Sequence, residues 1–235
     1  KTINVDLANS ATKKNETLMD TMHTLKAMQI DMFVIRHKQN GLPHHVAENM
    51  EGVSILNAGD GINAHPTQAL LDMLTIRQHK KTFDNLSVAI VGDIRHSRVA
   101  RSGIQAMKTL GTTDIRLIAP ETLHYKEETP GLERFDNLKK GIEGADVIIS
   151  LRMQKERMIA ADIPDEQTYF ENFGLTPEVL KCAKPDVILM HPGPVNRGIE
   201  LESSVADGPH SVILQQVTNG IAVRMAVMVI LAGAF

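Results

Sequence analysis

Leu86-Ser87-Val88-Ala89-Ile90-Val91-Gly92-Asp93, followed by the stretch Arg98 to Leu110 and then Gly111, decides the fold of this chain. An apolar run of strand length stops at a Gly-Asp pair. A helix-length segment comes next, and a glycine closes it. A further strand, Ile115 to Ile118, follows at once. Strand, helix and strand in succession form the repeating unit of a parallel sheet.

The same alternation extends both ways. Upstream, Ile3 to Leu7 reads as a strand, and Glu16 to Gln29 as a helix with Leu18, Met22 and Leu25 at helical spacing. Met32-Phe33-Val34-Ile35 reads as a buried strand, His44 to Met50 as a helix and Val53 to Leu56 as a strand. A helix then opens at His65-Pro66-Thr67-Gln68 and runs to about Lys80. Downstream, the spacing predicts a helix over Asp136 to Gly144 and strands over Val147 to Leu151 and Val187 to Met190. Thr176-Pro177-Glu178 is a helix start with Thr as N-cap and Pro in the first turn, and Asn219 to Leu231 is a closing helix. The fold class is therefore α/β, with two doubly wound parallel-sheet domains. Their boundary falls in the polar stretch Lys80 to Asn85, which gives units 1–80 and 81–218.

Composition narrows the function. The 235 residues are 43% hydrophobic, enough for a sizeable core. A formal net charge of -3 without a basic stretch argues against nucleic acid or an anionic membrane as partner. The apolar runs read as too short to span a bilayer. One cysteine, Cys182, excludes an internal disulfide and fits a reducing, cytoplasmic setting. No Cys/His spacing suits a metal. Gly92 does not open a dinucleotide-binding loop, because Ile94 and Ser97 stand where G-x-G-x-x-G needs glycine. The first residues resemble mid-domain strand rather than a signal peptide, and the chain stops in apolar residues, so both ends read as cut.

In parallel α/β sheets, ligands bind beyond the carboxyl ends of the strands. Arg36-His37, Asn57-Ala58-Gly59-Asp60-Gly61 leading to His65, the Gly92-to-Arg98 segment, Arg152-Met153-Gln154-Lys155-Glu156-Arg157 and His191-Pro192-Gly193-Pro194 stand there. Guanidinium forks match carboxylates and phosphates, so the arginines and the His-Pro turns describe a pocket for a small polyanion. His65 and Gln68 stand three apart and can face the same way at a helix N-terminus, which suits an anion or a polarised carbonyl. Taken alone, the tetrad reads equally as a helix cap.

Together these segments, with Ser10-Ala11-Thr12-Lys13-Lys14-Asn15-Glu16-Thr17-Leu18, resemble the catalytic chains of the aspartate carbamoyltransferase family, in order along nearly the whole sequence. The resemblance implies transfer of the carbamoyl group from carbamoyl phosphate to L-aspartate, the committed step of pyrimidine biosynthesis, in the cytoplasm. It makes 1–80 a partial carbamoyl-phosphate-binding domain, rejoined by a helix at about 219–235, and 81–218 the aspartate-binding domain. It implies that Arg36 and His65 act on the carbamoyl oxygen, with Arg36 also on the phosphate. Gln68 and the backbone carbonyls of Gly193 and Pro194 would take the carbamoyl NH2 across a cis Gly193–Pro194 bond. Arg98, Arg152 and Gln154 would hold aspartate. Lys14 would reach both reactants and Ser10 the phosphate, each in a neighbouring subunit's site. The implied assembly is a homotrimer with shared active sites, joined in some relatives by regulatory or dihydroorotase-like chains. No metal and no cofactor are implied.

The family's Ser-Thr-Arg-Thr phosphate loop would lie ahead of Lys1, so the resemblance also implies that this stretch alone binds carbamoyl phosphate poorly. Two other readings are an ornithine carbamoyltransferase and a catalytically silent homologue that serves as an assembly scaffold. The first would need acidic groups for a cationic substrate, where Arg98 and Arg152 stand.

Overall fold

The computed structural model describes residues 2–5, 17–127, 129–154 and 165–233. Helices and parallel strands alternate: α1 (Leu18–Ala27), β1 (Met32–His37), α2 (Leu42–Glu48), β2 (Ser54–Asp60), α3 (Pro66–Lys80), β3 (Ser87–Val91), α4 (Arg98–Thr109) and β4 (Asp114–Ile118). There follow β5 (Glu133–Phe135), α5 (Leu138–Ile142), β6 (Val147–Ser150), α6 (Glu166–Phe173), α7 (Pro177–Leu180), β7 (Ile188–Met190), α8 (Ser203–Ala206) and α9 (Ile213–Leu231).

Two parallel sheets result. The first pairs β1 with β2, Met32 opposite Ser54. The second has the order β5-β4-β3-β6-β7, so the chain grows outward from β3 first to one side and then to the other. That reversal is the doubly wound signature, and it opens a crevice at the carboxyl end of β3. The central strands of this sheet are covered on both faces: Val88, Ala89, Ile90, Val147, Ile148 and Leu189 are all buried. A smaller core of Met22, Leu42, Val46 and Met50 sits beside the first sheet.

The predicted punctuation is present where its chemistry is strongest. Gly111, at φ +98°, follows the end of α4 as expected; Ser97, a cap that the sequence reading did not assign, accepts from the Ala100 N–H at 3.1 Å. Thr176 caps α7 by accepting from the Val179 N–H. Of the expected strand Ile3 to Leu7, Asp6 and Leu7 lie outside the described residues; Thr2–Val5 form no strand, Ile3 and Val5 are exposed, and among the described residues no strand pairs with them.

The closing helix α9 begins at Ile213, six positions ahead of the expected Asn219, and is long and apolar enough to cross a membrane by length and composition. This corrects the expectation that every apolar run is too short. In the fold, α9 returns to the first sheet. Ser54 Oγ donates to the Leu231 carbonyl at 2.7 Å, and the polar side chains of α9 are tied to α3. Asn219 Nδ2 donates to Thr75 Oγ1 at 2.9 Å and Gln216 Nε2 to Asp72 Oδ1 at 2.8 Å, all four residues being buried. The opposite face of the helix, with Leu214, Val217, Ile221 and Met225, is exposed.

Candidate active site

An open cleft of ≈ 540 Å³ lies at the carboxyl ends of the strands, lined by Arg36, His37, Lys38, Asn40, Gly61, Ile62 and Arg98. Arg36 occupies the last turn of β1, exposed, with Nη1 3.5 Å from the Ala58 carbonyl oxygen. Arg98 comes from the other sheet. It is the first residue of α4 and is buried, and its Nη1 donates to the Gly61 carbonyl at 3.3 Å. Gly59 makes this approach possible. At φ +115° it adopts a backbone that few side chains accept, and a Cβ there would stand 2.8 Å from Arg98 Cζ.

The loop that carries Gly59 and Gly61 is fastened by Asp60. Burial opposes its charge, but four donors outweigh that and hold its carboxyl below the ordinary range. They are the Asn57 and Asn63 amides and the Gly41 and Ala64 backbone N–H groups, at 2.7 to 3.1 Å.

His65 stands at the N-cap position of α3 but makes no side-chain cap bond, so the helix-cap reading of the tetrad fails. Its backbone N–H donates to Ser102 Oγ at 2.9 Å, linking α3 to α4. Its Nδ1 is buried without a hydrogen-bond partner among the described residues. Burial and the positive charges of Arg98, Arg36 and Arg224 push the imidazole down to about 4. His65 is therefore neutral at pH 7 and reaches the site as a single N–H donor.

This makes a prediction for an imidazole titration followed by two-dimensional NMR, with His65→Asn supplying the assignment. The His65 midpoint is expected near pH 4, and a midpoint at the ordinary 6.5 would contradict the geometry. Between those values the unfolded chain binds the extra proton. The contribution of His65 to stability is thus complete above 6.5 and is lost as pH falls through 4.

Gln68 is buried one turn into α3, and its Nε2 donates to Asp72 Oδ1 at 3.0 Å. Arg152 and Gln154, both half-buried, follow β6, the strand beside β3. The Gln154 backbone N–H donates to Asp93, the residue that ends the β3 turn. Gly193 and Pro194 follow β7, the next strand out, and the bond between them is cis, as expected. Their turn is held by His191. The Gly193 N–H donates to His191 Nδ1 at 2.9 Å, which puts the ring proton on Nε2, facing Glu200 Oε1 at 3.2 Å. Ser10 and Lys14 lie outside the described residues.

Of the predicted set, Arg36 and Arg98 thus line the cleft from two different sheets, with His65 in electrostatic contact with both. Arg152, Gln154, Gly193 and Pro194 continue the same sheet edge. The sequence reading missed Asp60, Asp72, Asp93 and Gln216. Asp72 carried a signal, as a carboxylate four residues after Gln68 in an apolar helix. Gln216 carried none.

Comparison with known proteins gives a consistent result. Residues 1–78 match the family described as aspartate/ornithine carbamoyltransferase, carbamoyl-P binding domain, and residues 84–231 match its Asp/Orn binding domain. The sequence is 74% identical over 231 residues to the aspartate carbamoyltransferase catalytic subunit of Vesicomyosocius okutanii subsp. Calyptogena okutanii (strain HA), covering 98% of this chain and 72% of that protein. It is likewise 74% identical over 230 residues to that of Ruthia magnifica subsp. Calyptogena magnifica, covering 97% and 72%. Among solved structures, aspartate transcarbamoylase from Trypanosoma cruzi in complex with carbamoyl aspartate and phosphate superposes with a TM-score of 0.84 at 29% identity, over 96% of this chain and 74% of that one.

Proposed function

Because this chain belongs to the aspartate/ornithine carbamoyltransferase family, we propose that it transfers the carbamoyl group of carbamoyl phosphate to the amine of L-aspartate, giving N-carbamoyl-L-aspartate and phosphate. The observation that carries this reading is the convergence of Arg36 and Arg98 on one cleft beside a neutral histidine. That arrangement suits two anionic reactants joined through a polarised carbonyl.

The chemistry follows from these groups. The neutral amine of aspartate attacks the carbamoyl carbon. A C–N bond forms, and the carbonyl electrons move onto oxygen. Arg36 and the His65 N–H donate to that oxygen as its charge grows. A neutral donor fits here, since an imidazolium between two guanidiniums would be repelled. The Gln68 carbonyl oxygen and the backbone carbonyls of Gly193 and Pro194 accept from the carbamoyl NH2 and fix its plane. Collapse of the intermediate breaks the C–O bond, and phosphate leaves carrying the proton lost by the amine. Arg98 and Arg152 take the two carboxylates of aspartate, with Gln154 assisting. These roles need positioning and charge stabilisation from the protein and no covalent intermediate.

On this reading residues 1–80, rejoined by the closing helix from about 219, hold carbamoyl phosphate, and 81–218 hold aspartate. Ser10 and Lys14 complete a neighbouring subunit's site in a homotrimer in the cytoplasm, and the product enters pyrimidine biosynthesis. The catalytic-subunit name of the 74% identical relatives supports an oligomer.

A colorimetric carbamoyl-aspartate assay on the full-length protein tests the activity. Product is expected with L-aspartate and none above background with L-ornithine. Citrulline formation without carbamoyl aspartate would overturn the reading.

A further inference from the structure

Asp72 is an acid in the wrong place for stability. It lies in α3 at 1% exposure, and burial pushes its carboxyl up to about 7, against the pull of the Gln216 and Gln68 amides and the Arg224 charge. An apolar side chain of similar size would hold two packed helices at least as well, since buried ionisable groups seldom add net stability. What Asp72 alone supplies is acceptor oxygen at a chosen point. Its Oδ1 accepts from Gln68 Nε2 at 3.0 Å and from Gln216 Nε2 at 2.8 Å. A proton on this acid, when present, therefore belongs on Oδ2, and Oδ1 accepts in either state.

The two bonds have different consequences. A primary amide has one donor end and one acceptor end. With Nε2 of Gln68 committed to Asp72, its Oε1 is the end left for a ligand N–H. Gln216 is fixed the same way round, and its Oε1 accepts the backbone N–H of His191 at 2.9 Å. His191 in turn accepts the Gly193 N–H and so shapes the turn of Gly193 and Pro194. One oxygen atom thus stands behind both groups of acceptors that the proposed mechanism assigns to the carbamoyl NH2, on α3 and beyond β7.

We propose that Asp72 is a positioning residue for the carbamoyl group: through Gln68 and through Gln216–His191 it presents the acceptor wall of the pocket in one orientation. This rests on the carbamoyltransferase reading, and deepens it by assigning recognition of the NH2 group to a residue that touches no reactant.

The test is steady-state kinetics on the full-length protein, with both substrates varied and melting followed in parallel. Asp72→Leu is expected to raise KM for carbamoyl phosphate and lower kcat, together by about 10- to 100-fold in kcat/KM, as for a displaced reactant. KM for aspartate should stay within about threefold. Asp72→Asn retains an acceptor oxygen and should recover most of the loss. In a Gln68→Ala background, Asp72→Leu should cost much less than in the wild type, because part of its effect runs through Gln68.

Should Asp72→Leu fail to fold, Gln216→Leu tests the other arm and should show the same signature specific to carbamoyl phosphate. Three results would overturn the proposal: folded variants with wild-type kinetics, equal changes in both KM values, or full additivity with Gln68→Ala. Wild-type formation of carbamoyl aspartate in the same assay separates failure of this proposal from failure of the assigned activity.

Discussion

His65→Ala is expected to lower kcat by about 10²- to 10³-fold, the usual result of removing one donor to a developing oxyanion. The size follows from the environment. The ring is half-buried, its Nδ1 has no protein partner among the described residues, and burial together with three arginines holds it neutral. A donor preset in a site partly closed to water contributes most when charge appears on its acceptor, and little to the uncharged carbonyl. The loss should therefore fall on kcat, with KM for carbamoyl phosphate changing only a few-fold. His65→Asn supplies a different N–H at a shorter reach and should restore part of the rate. Initial rates of carbamoyl-aspartate formation at saturating substrates measure this directly, and an unchanged kcat in His65→Ala removes His65 from the oxyanion site.

The second large effect concerns Arg98. Arg98→Ala is expected to lower kcat/KM for aspartate by 10²-fold or more, about 3 kcal/mol or above, within the range for truncating one member of a buried charged pair. The residue is buried at the start of α4, in a space that Gly59 leaves open, so its guanidinium is held in place at the cleft before a carboxylate arrives. Arg98→Lys should rescue poorly. An ammonium offers a point charge on a flexible stem, where the guanidinium presents a planar fork. A competing dicarboxylate such as succinate should lose inhibition in parallel. An unaltered KM for aspartate together with unaltered succinate inhibition would show that Arg98 binds neither carboxylate and serves the fold, as in its bond to Gly61.

The two residues differ in how far the sequence disclosed them. The strand Ser87–Val91, the helix beginning at Arg98 and the helix beginning at Pro66 were legible because each is punctuated by its own residues: Gly92, Gly111 and Pro66. Strand-end position then placed Arg36 at the carboxyl edge of the first sheet, and Arg98, Arg152 and the His191 turn at that of the second. Other elements carried no such marks. β5 is only Glu133–Phe135, a charged pair and one aromatic, and it exists because β4 offers it an edge. α6 opens on Glu166-Gln167 and buries only Tyr169 and Phe173, a pattern too sparse to stand out. The first six residues of α9, Ile213 to Thr218, follow Val212, which makes no side-chain cap bond, so nothing marked the helix start ahead of Asn219; packing against α3 holds them as helix.

The site shows the same division. Residues proposed to meet a reactant were visible by type. Those that hold them in place were not, because an Asp or Gln inside a helix gains its meaning from a partner far along the chain. His65 illustrates both: its position was legible, whereas its neutrality depends first on burial and then on Arg98, Arg36 and Arg224 arriving from three separate elements.

The bond between Asp72 and Gln216 joins positions 144 residues apart. A nascent chain that ends before Gln216 can assemble β3, β4 and β6 and bury most of the larger core, yet it has nothing to seat the His191 N–H. Contacts of such sequence separation form late, after shorter loops have closed. Maturation of the pocket is thereby tied to synthesis of α9: a molecule stalled or clipped ahead of that helix would be structured in large part but not competent for turnover.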